Sequence, residues 1–231
     1  SGVGETAIDI YDPENIKSIE IIKGPKATAY GTNVGGTLLL TSKTPESQGL
    51  SIRNNTTIGS FGMFKNSMSS DFSQNKLNLH LTYDHLEFDG FRENGNYNRN
   101  SVMLTSSYRF NENTELSLLI NHSDYTAQIP SSIGKTAFEE NPSQAAFTWQ
   151  QAQGYEADNQ TLVGISLKHQ FATDFKNTTS FFYSYTDHYE PRPFNILDEY
   201  TNGFGVRSVF DKTFNFLTRK AQWSFGAELY K

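Results

Sequence analysis

Leu77-Asn78-Leu79-His80-Leu81-Thr82-Tyr83-Asp84 alternates an apolar with a polar side chain at every step. Successive side chains of an extended chain point to opposite faces, so this stretch reads as a strand with one apolar and one polar face. Working outward, the same period of two recurs at Val102, Leu104, Tyr108 and Phe110, at Leu116, Leu118 and Ile120, and at Val163, Ile165, Leu167 and Phe171. It returns at Phe175, Phe181, Tyr183 and Tyr185 and at Trp223, Phe225, Ala227 and Leu229, with weaker forms at Leu50, Ile52 and Ile58 and at Phe64, Met68 and Phe72. The pattern predicts strands over 50–60, 63–73, 76–88, 97–110, 113–126, 158–172, 175–188, 203–211 and 219–231. The first seven run to about ten residues or more, where strands of soluble sandwiches usually have about five or six.

The connections alternate too. Segments 73–76 (SQNK), 111–114 (NENT) and 173–176 (TDFK) are tight polar turns, whereas 87–99, 126–158 and 187–203 are long and carry most of the Pro, Gly, Arg and Trp. Short turns on one rim and long loops on the other are the pattern of an outer-membrane barrel whose short rim faces the periplasm. The alternative reading of the same alternation is a soluble sandwich with one buried and one solvated face.

Composition narrows the function classes. The 231 residues include no cysteine, which excludes a disulfide framework and thiolate metal sites. The balance of 19 Lys plus Arg against 25 Asp plus Glu leaves no basic footprint for nucleic acid. Aromatic residues make up 14%, with 18 Phe and 12 Tyr, and no run approaches the roughly 18 to 20 apolar residues of a membrane-spanning helix. A membrane barrel stays open, because alternating strands keep the mean hydropathy low. His80 and His85 form the closest histidine pair and, five apart on one strand, point to opposite faces and cannot chelate. All five histidines, with His122, His169 and His188, read as lumen-facing or rim residues. No catalytic constellation, metal site or cofactor motif is legible, and the Glu139-Glu140 pair reads as solvated.

Residues 1–47 differ in texture. The string DPENIKSIEIIKGPKATAYGTNVGGTLLLTSKTP over 12–45 resembles the end of the plug domain of TonB-dependent outer-membrane receptors. The residues that carry the resemblance are Ile19, Glu20, Ile22, Lys23, Gly24, Pro25, Tyr30, Gly31, Gly35, Gly36 and Lys43. DGFRENGNYNRN over 89–100 is a weaker motif typical of the family's siderophore members. Two short strands, 19–22 and 37–41, are expected in the plug part, with glycines bending the chain between them.

The resemblance implies an all-β fold: the C-terminal part of a plug domain over 1–47, then the first part of an antiparallel transmembrane β-barrel over 48–231. Nine strands stand against about 22 in such transporters, so the chain reads as a fragment without the segment that engages TonB. The implied function is active import of a scarce ligand, a ferric siderophore first, from the bacterial outer membrane. Its implied partners are a TonB-type energy-coupling protein, the ligand, and outer-membrane lipid and lipopolysaccharide, with no nucleic acid and no enzyme activity. The alternatives are a carbohydrate importer of the same superfamily and, from another class, an unplugged porin or surface adhesion barrel. The former is disfavoured by the string Val34 to Lys43, which departs from the strand that usually ends carbohydrate-importer plugs.

Candidate ligand contacts follow from the same frame. Tyr30 falls at the plug apex by resemblance. Arg92, Tyr97 and Arg99 combine guanidinium donors with an aromatic face, a chemistry suited to the oxygens around a ferric ion. The next long loop offers Tyr125, Gln128, Trp149 and Tyr155, and the last offers Tyr189 and Arg192. The three long loops carry net charges of −1, −3 and −3, so anion selection would rest on aimed side chains and not on a general field. Glu20, Lys23 and Lys43 are expected to meet opposite charges inside the barrel.

Overall fold

The computed structural model describes residues 11–24 and 36–231. Pro25, Tyr30, Gly31 and Gly35 of the motif lie outside the described residues. The described chain opens with a 3-10 turn, Pro13–Asn15, followed by strands β1 (Ile16–Ile22) and β2 (Thr37–Ser42), which pair antiparallel. Nine further strands follow: β3 (Gly49–Ile58), β4 (Phe64–Gln74), β5 (Leu77–Phe88), β6 (Tyr97–Asn111), β7 (Thr114–Gln128), β8 (Tyr155–Ala172), β9 (Phe175–Pro191), β10 (Ile196–Phe216) and β11 (Arg219–Tyr230). They form one antiparallel sheet in strict sequence order, each strand bonded to the next.

One rim of this sheet holds only two-residue turns, at 75–76, 112–113, 173–174 and 217–218. Two of them adjoin a register shift, between Arg109 and Asn111 and between Gln170 and Ala172, where an extra residue lets the turn fit the twist of the strands. At this rim the Lys212 ammonium donates to Asp174 at 2.6 Å and holds its carboxyl below the usual range. The opposite rim carries the connections 59–63, 89–96, 129–154 and 192–195, and 129–154 includes two short helices, α1 (Lys135–Glu140) and α2 (Phe147–Ala152).

The expected long loop over 187–203 is corrected by the structure. β9 and β10 run on to Pro191 and Ile196, pairing Asp187 with Tyr200 and Glu190 with Leu197, and Arg192 N–H closes the turn on Asn195. Polar residues occupy both faces of these extensions, so no hydrophobic alternation marks them in the sequence.

The two faces of the sheet differ in a way that decides what kind of sheet it is. The inner face, against which the N-terminal segment lies, buries His80, Thr82, Asp84, Arg99, Ser101, Asn121 and Ser123. The outer face exposes Leu81, Tyr83, Val102, Ile165, Phe181, Phe204 and Val206. One rung is apolar from β5 to β10: Leu81, Leu104, Ile120, Val163, Tyr183 and Phe204 follow one another in register, with Ser70 standing between Leu81 and Ile52. A water-soluble sandwich buries its apolar face and solvates its polar one; this sheet does the reverse. At the short-turn end, the outer-face rings of Phe175, Phe210 and Phe225 stack at 6.0 and 5.2 Å, and Trp223 follows at 5.5 Å. Towards the other end Tyr83, Tyr183, Tyr185 and Tyr200 share that face.

The histidines divide between the faces. His80 and His188 lie on the inner face, but His122 stands mid-strand on the outer face between Val102 and Thr161, and His85 and His169 sit on that face nearer the rims. A polar residue can stand on the outer face where a neighbour shares a hydrogen bond with it, as Thr161 does with His122 at 3.0 Å.

In the hairpin, Gly36 has φ +130°, and a Cβ there would stand 2.7 Å from the Ile22 carbonyl oxygen. Gly36→Ala is therefore expected to unpair the Ile22–Thr37 end of β1 and β2, seen as faster amide exchange over 37–42 with the nine-stranded sheet unchanged.

Candidate functional site

The site forms where the N-terminal segment meets one rung of the inner face. Lys65, Leu86, Arg99, Tyr125, Asp158, His188 and Glu199 are cross-strand neighbours along that rung, from β4 to β10. Strand register alone brings them into line, because residues that alternate with them point outward.

Asp12 reaches this rung from the 3-10 turn. Its carboxylate caps the turn by accepting from the Glu14 N–H at 2.8 Å, and it pairs with Lys65 at 2.8 Å and Arg99 at 3.0 Å. Asn15 at the end of the same turn donates to Asp84 at 2.9 Å, and its carbonyl accepts the Lys43 N–H at 2.9 Å. Thr105 in turn donates to the Lys43 carbonyl at 3.3 Å. The turn is thus fastened to β4, β5 and β6 by buried polar contacts. Lys43 meets Glu14 at 3.5 Å, inside the N-terminal segment. Among the described residues no opposite charge lies within ion-pair distance of Glu20 or Lys23, and the side chain that meets charges on the wall is Asp12.

Beyond Arg99 the rung turns acidic. Tyr125 donates to Asp158 at 3.1 Å and to Glu156 at 3.4 Å. His188 bonds Asp158, and Glu190 accepts from Arg192 and lies 3.6 Å from His188. Glu190 raises the already high pKa of Arg192, which is therefore a fixed cation. Above the rung Phe88 stacks on Tyr97 at 5.2 Å, and Tyr97 on Tyr125 at 5.9 Å, giving a flat aromatic wall beside the charges.

The structure brings Tyr97, Arg99 and Tyr125 together on the inner face, with Arg192 joined through Glu190. Gln128, Tyr155 and Tyr189 stand on the outer parity near the rim, with the Tyr155 and Tyr189 rings 6.1 Å apart. Tyr97 and Gln128 nevertheless share a rim cleft of about 360 Å³ with Asp89 and Asn96. Trp149 lies against Gly154, where a Cβ would come within 2.5 Å of its ring. Arg92 is turned into the connection 129–154, and Tyr30 lies outside the described residues.

Sequence reasoning missed Asp12, Lys65, Asp84, Asp158, His188 and Glu190. A usable signal was present for two of them: Asp158 and His188 are ionisable residues on the polar parity at the ends of expected strands. Among the described residues no cluster of three His, Asp or Glu side chains is arranged to hold a metal ion, and no helix is long and apolar enough to cross a membrane.

An all-β chain with a sequential antiparallel sheet, apolar outside and polar inside, has the architecture of barrel-type receptors. No family model matches the sequence. Solved structures do. The ferric-catecholate import receptor Fiu from E. coli K12 matches with a TM-score of 0.75 at 16% identity, over 94% of this chain and 39% of its own. BauA, the ferric preacinetobactin receptor from Acinetobacter baumannii, matches at 0.78 and 14%, over 95% of this chain and 36% of its own. The alcaligin outer-membrane receptor FauA from Bordetella pertussis matches at 0.72 and 13%, over 94% and 34%. At these identities the likeness is one of fold, and the chain spans a little over a third of the length of the receptors it matches.

Proposed function

We propose that this chain is part of a TonB-dependent outer-membrane receptor that imports a scarce ligand, a ferric siderophore first among the classes. In this reading 1–47 is the end of the plug and 48–231 the first part of the barrel. The inverted polarity of the sheet carries it: an exposed apolar outer face needs an apolar solvent, and a buried polar inner face needs a polar filling. The N-terminal segment, held on that inner face by Asp12 and Asn15, is such a filling. The fold shared with a ferric-catecholate import receptor, a ferric preacinetobactin receptor and an alcaligin receptor supports the ligand class. The stacked, half-buried rings of Phe88 and Tyr97, with Arg192 on the same rim, suit a large ligand with ring faces and oxygen acceptors.

The expected result is uptake of labelled iron from at least one member of a catecholate, hydroxamate and carboxylate siderophore panel by cells whose only siderophore receptor is the full-length protein. Uptake should stop when the TonB-type protein is removed. Uptake indifferent to TonB would favour an unplugged porin, and uptake of labelled oligosaccharide in place of iron would favour the carbohydrate importer.

A further inference from the structure

Arg92 stands in the connection 89–96, yet its guanidinium is spent on the neighbouring connection 129–154. Nη1 donates to the Ser131 carbonyl at 2.5 Å, Nη2 to Gln144 at 2.8 Å and more weakly to Pro130 at 3.5 Å, and Nε to Gln144 at 3.1 Å. Two residues on, the Asn94 amide donates to the carbonyls of Ile129 at 2.8 Å and Gly154 at 2.9 Å, which are the two feet of that connection. Between them the Glu93 N–H donates to the Ser143 carbonyl at 2.8 Å, and the Gln150 amide donates to the Glu93 carboxylate at 3.0 Å.

The connection 129–154 is closed on itself by the Ile129 N–H donating to the Gly154 carbonyl at 2.9 Å, the Ala146 N–H to the Pro130 carbonyl at 2.8 Å and the Gln144 amide to the Ala137 carbonyl at 2.6 Å, but these bonds do not tie it to the neighbouring connection. Its helices α1 and α2 have six residues each and no buried residue, far short of the length at which an isolated helix persists. Phe138 and Phe147 are exposed, and Ala145 is its one buried apolar side chain. Hydrogen bonds from charged or amide groups to backbone carbonyls therefore set its position. Because every acceptor of Arg92 and Asn94 is a main-chain oxygen, they hold the path of the chain and not one of its side chains.

We propose that Arg92 and Asn94 are positioning residues that lock 129–154 onto 89–96, so that the two connections act as one rigid piece of the ligand vestibule. Resting on the receptor reading, Arg92 then acts on ligand capture through the position of 129–154 and not by touching the ligand. A planar fork aimed at three carbonyls is something a lysine cannot reproduce, whereas a lysine keeps the charge that a direct anion contact would use.

The test uses the full-length receptor in two arms. In the first, amide exchange is read without ligand: Arg92→Ala, Arg92→Lys and the isosteric Asn94→Asp should each speed exchange over 129–154 by about tenfold or more, with β5 to β8 unchanged. Wild-type exchange in all three would overturn the lock. In the second, affinity for a ferric siderophore panel is measured for Arg92→Ala carrying Glu93→Cys and Ser143→Cys, a pair whose backbones are already hydrogen-bonded. Reduced, this protein should bind about tenfold more weakly than wild type; oxidised, it should regain both slow exchange and affinity. Failure of the cross-link to form counts against the contact itself. Slow exchange regained without affinity would make Arg92 a direct ligand contact and overturn the positioning role. If no panel member binds the wild type, the receptor reading fails, and the exchange arm still decides the lock.

Discussion

Asp12→Ala is expected to loosen the N-terminal segment from the sheet by about 3 to 5 kcal/mol, the range for a buried ion pair that loses one partner. The Asp12 side chain has 0% exposure and the Arg99 side chain 4%, so neither charge can turn to water in exchange. The substitution removes the carboxylate that Lys65 and Arg99 share and the cap of the 3-10 turn at once. Asp12→Asn should cost less, because an amide oxygen can still cap the turn and accept from one of the two cations. Lys65→Ala should cost less again, since Lys65 is 18% exposed and solvent takes over part of its role. Amide exchange of the full-length receptor, compared over 11–24 and 36–45, reads all three. Protection equal to wild type in Asp12→Ala would show that the segment is held by contacts other than this pair.

The second large effect is expected on the opposite face. Ile120 stands in the middle of an outer rung, between Leu104 and Val163. If this face meets hydrocarbon, Ile120→Arg costs about 2 to 4 kcal/mol, because a guanidinium in lipid must drag water or headgroups towards it. Thr201→Arg, exposed and on the inner parity, should cost close to nothing. Urea-dependent folding of the full-length receptor into lipid vesicles compares the two. Equal costs on both faces would remove the lipid-facing assignment.

The two predictions draw on different kinds of information. The period of two at Leu77 to Asp84 was enough to place β5, and its repeats placed the other eight strands of the sheet and the turns after β4, β6 and β8, while β10 runs on to Phe216, past its expected end at 211. Alternation works so well because, in an extended chain, parity is face, whatever the tertiary context. It failed at Pro191 and Ile196, where β9 and β10 extend with polar residues on both faces and periodicity has nothing to report. It also could not say which face is covered. That depended on the N-terminal segment lying against Asp84, Arg99 and Thr105 and leaving Leu81, Val102 and Ile165 outside.

The candidate site was legible only in part. Tyr97, Arg99 and Tyr125 could be named from residue type and loop context. Asp12 could not, because its partners Lys65 and Arg99 lie 53 and 87 residues away, and only packing of the turn on the wall makes them neighbours. Arg92 shows the converse: its chemistry suits an anion, and the fold turns it instead towards the carbonyls of Ser131 and Gln144. Sequence by itself determined the strands, their order and the two unlike faces, since these follow from local backbone geometry. Tertiary structure alone decided which face is inside, which charges share a rung and what each guanidinium meets, since these depend on register and on the docking of distant segments.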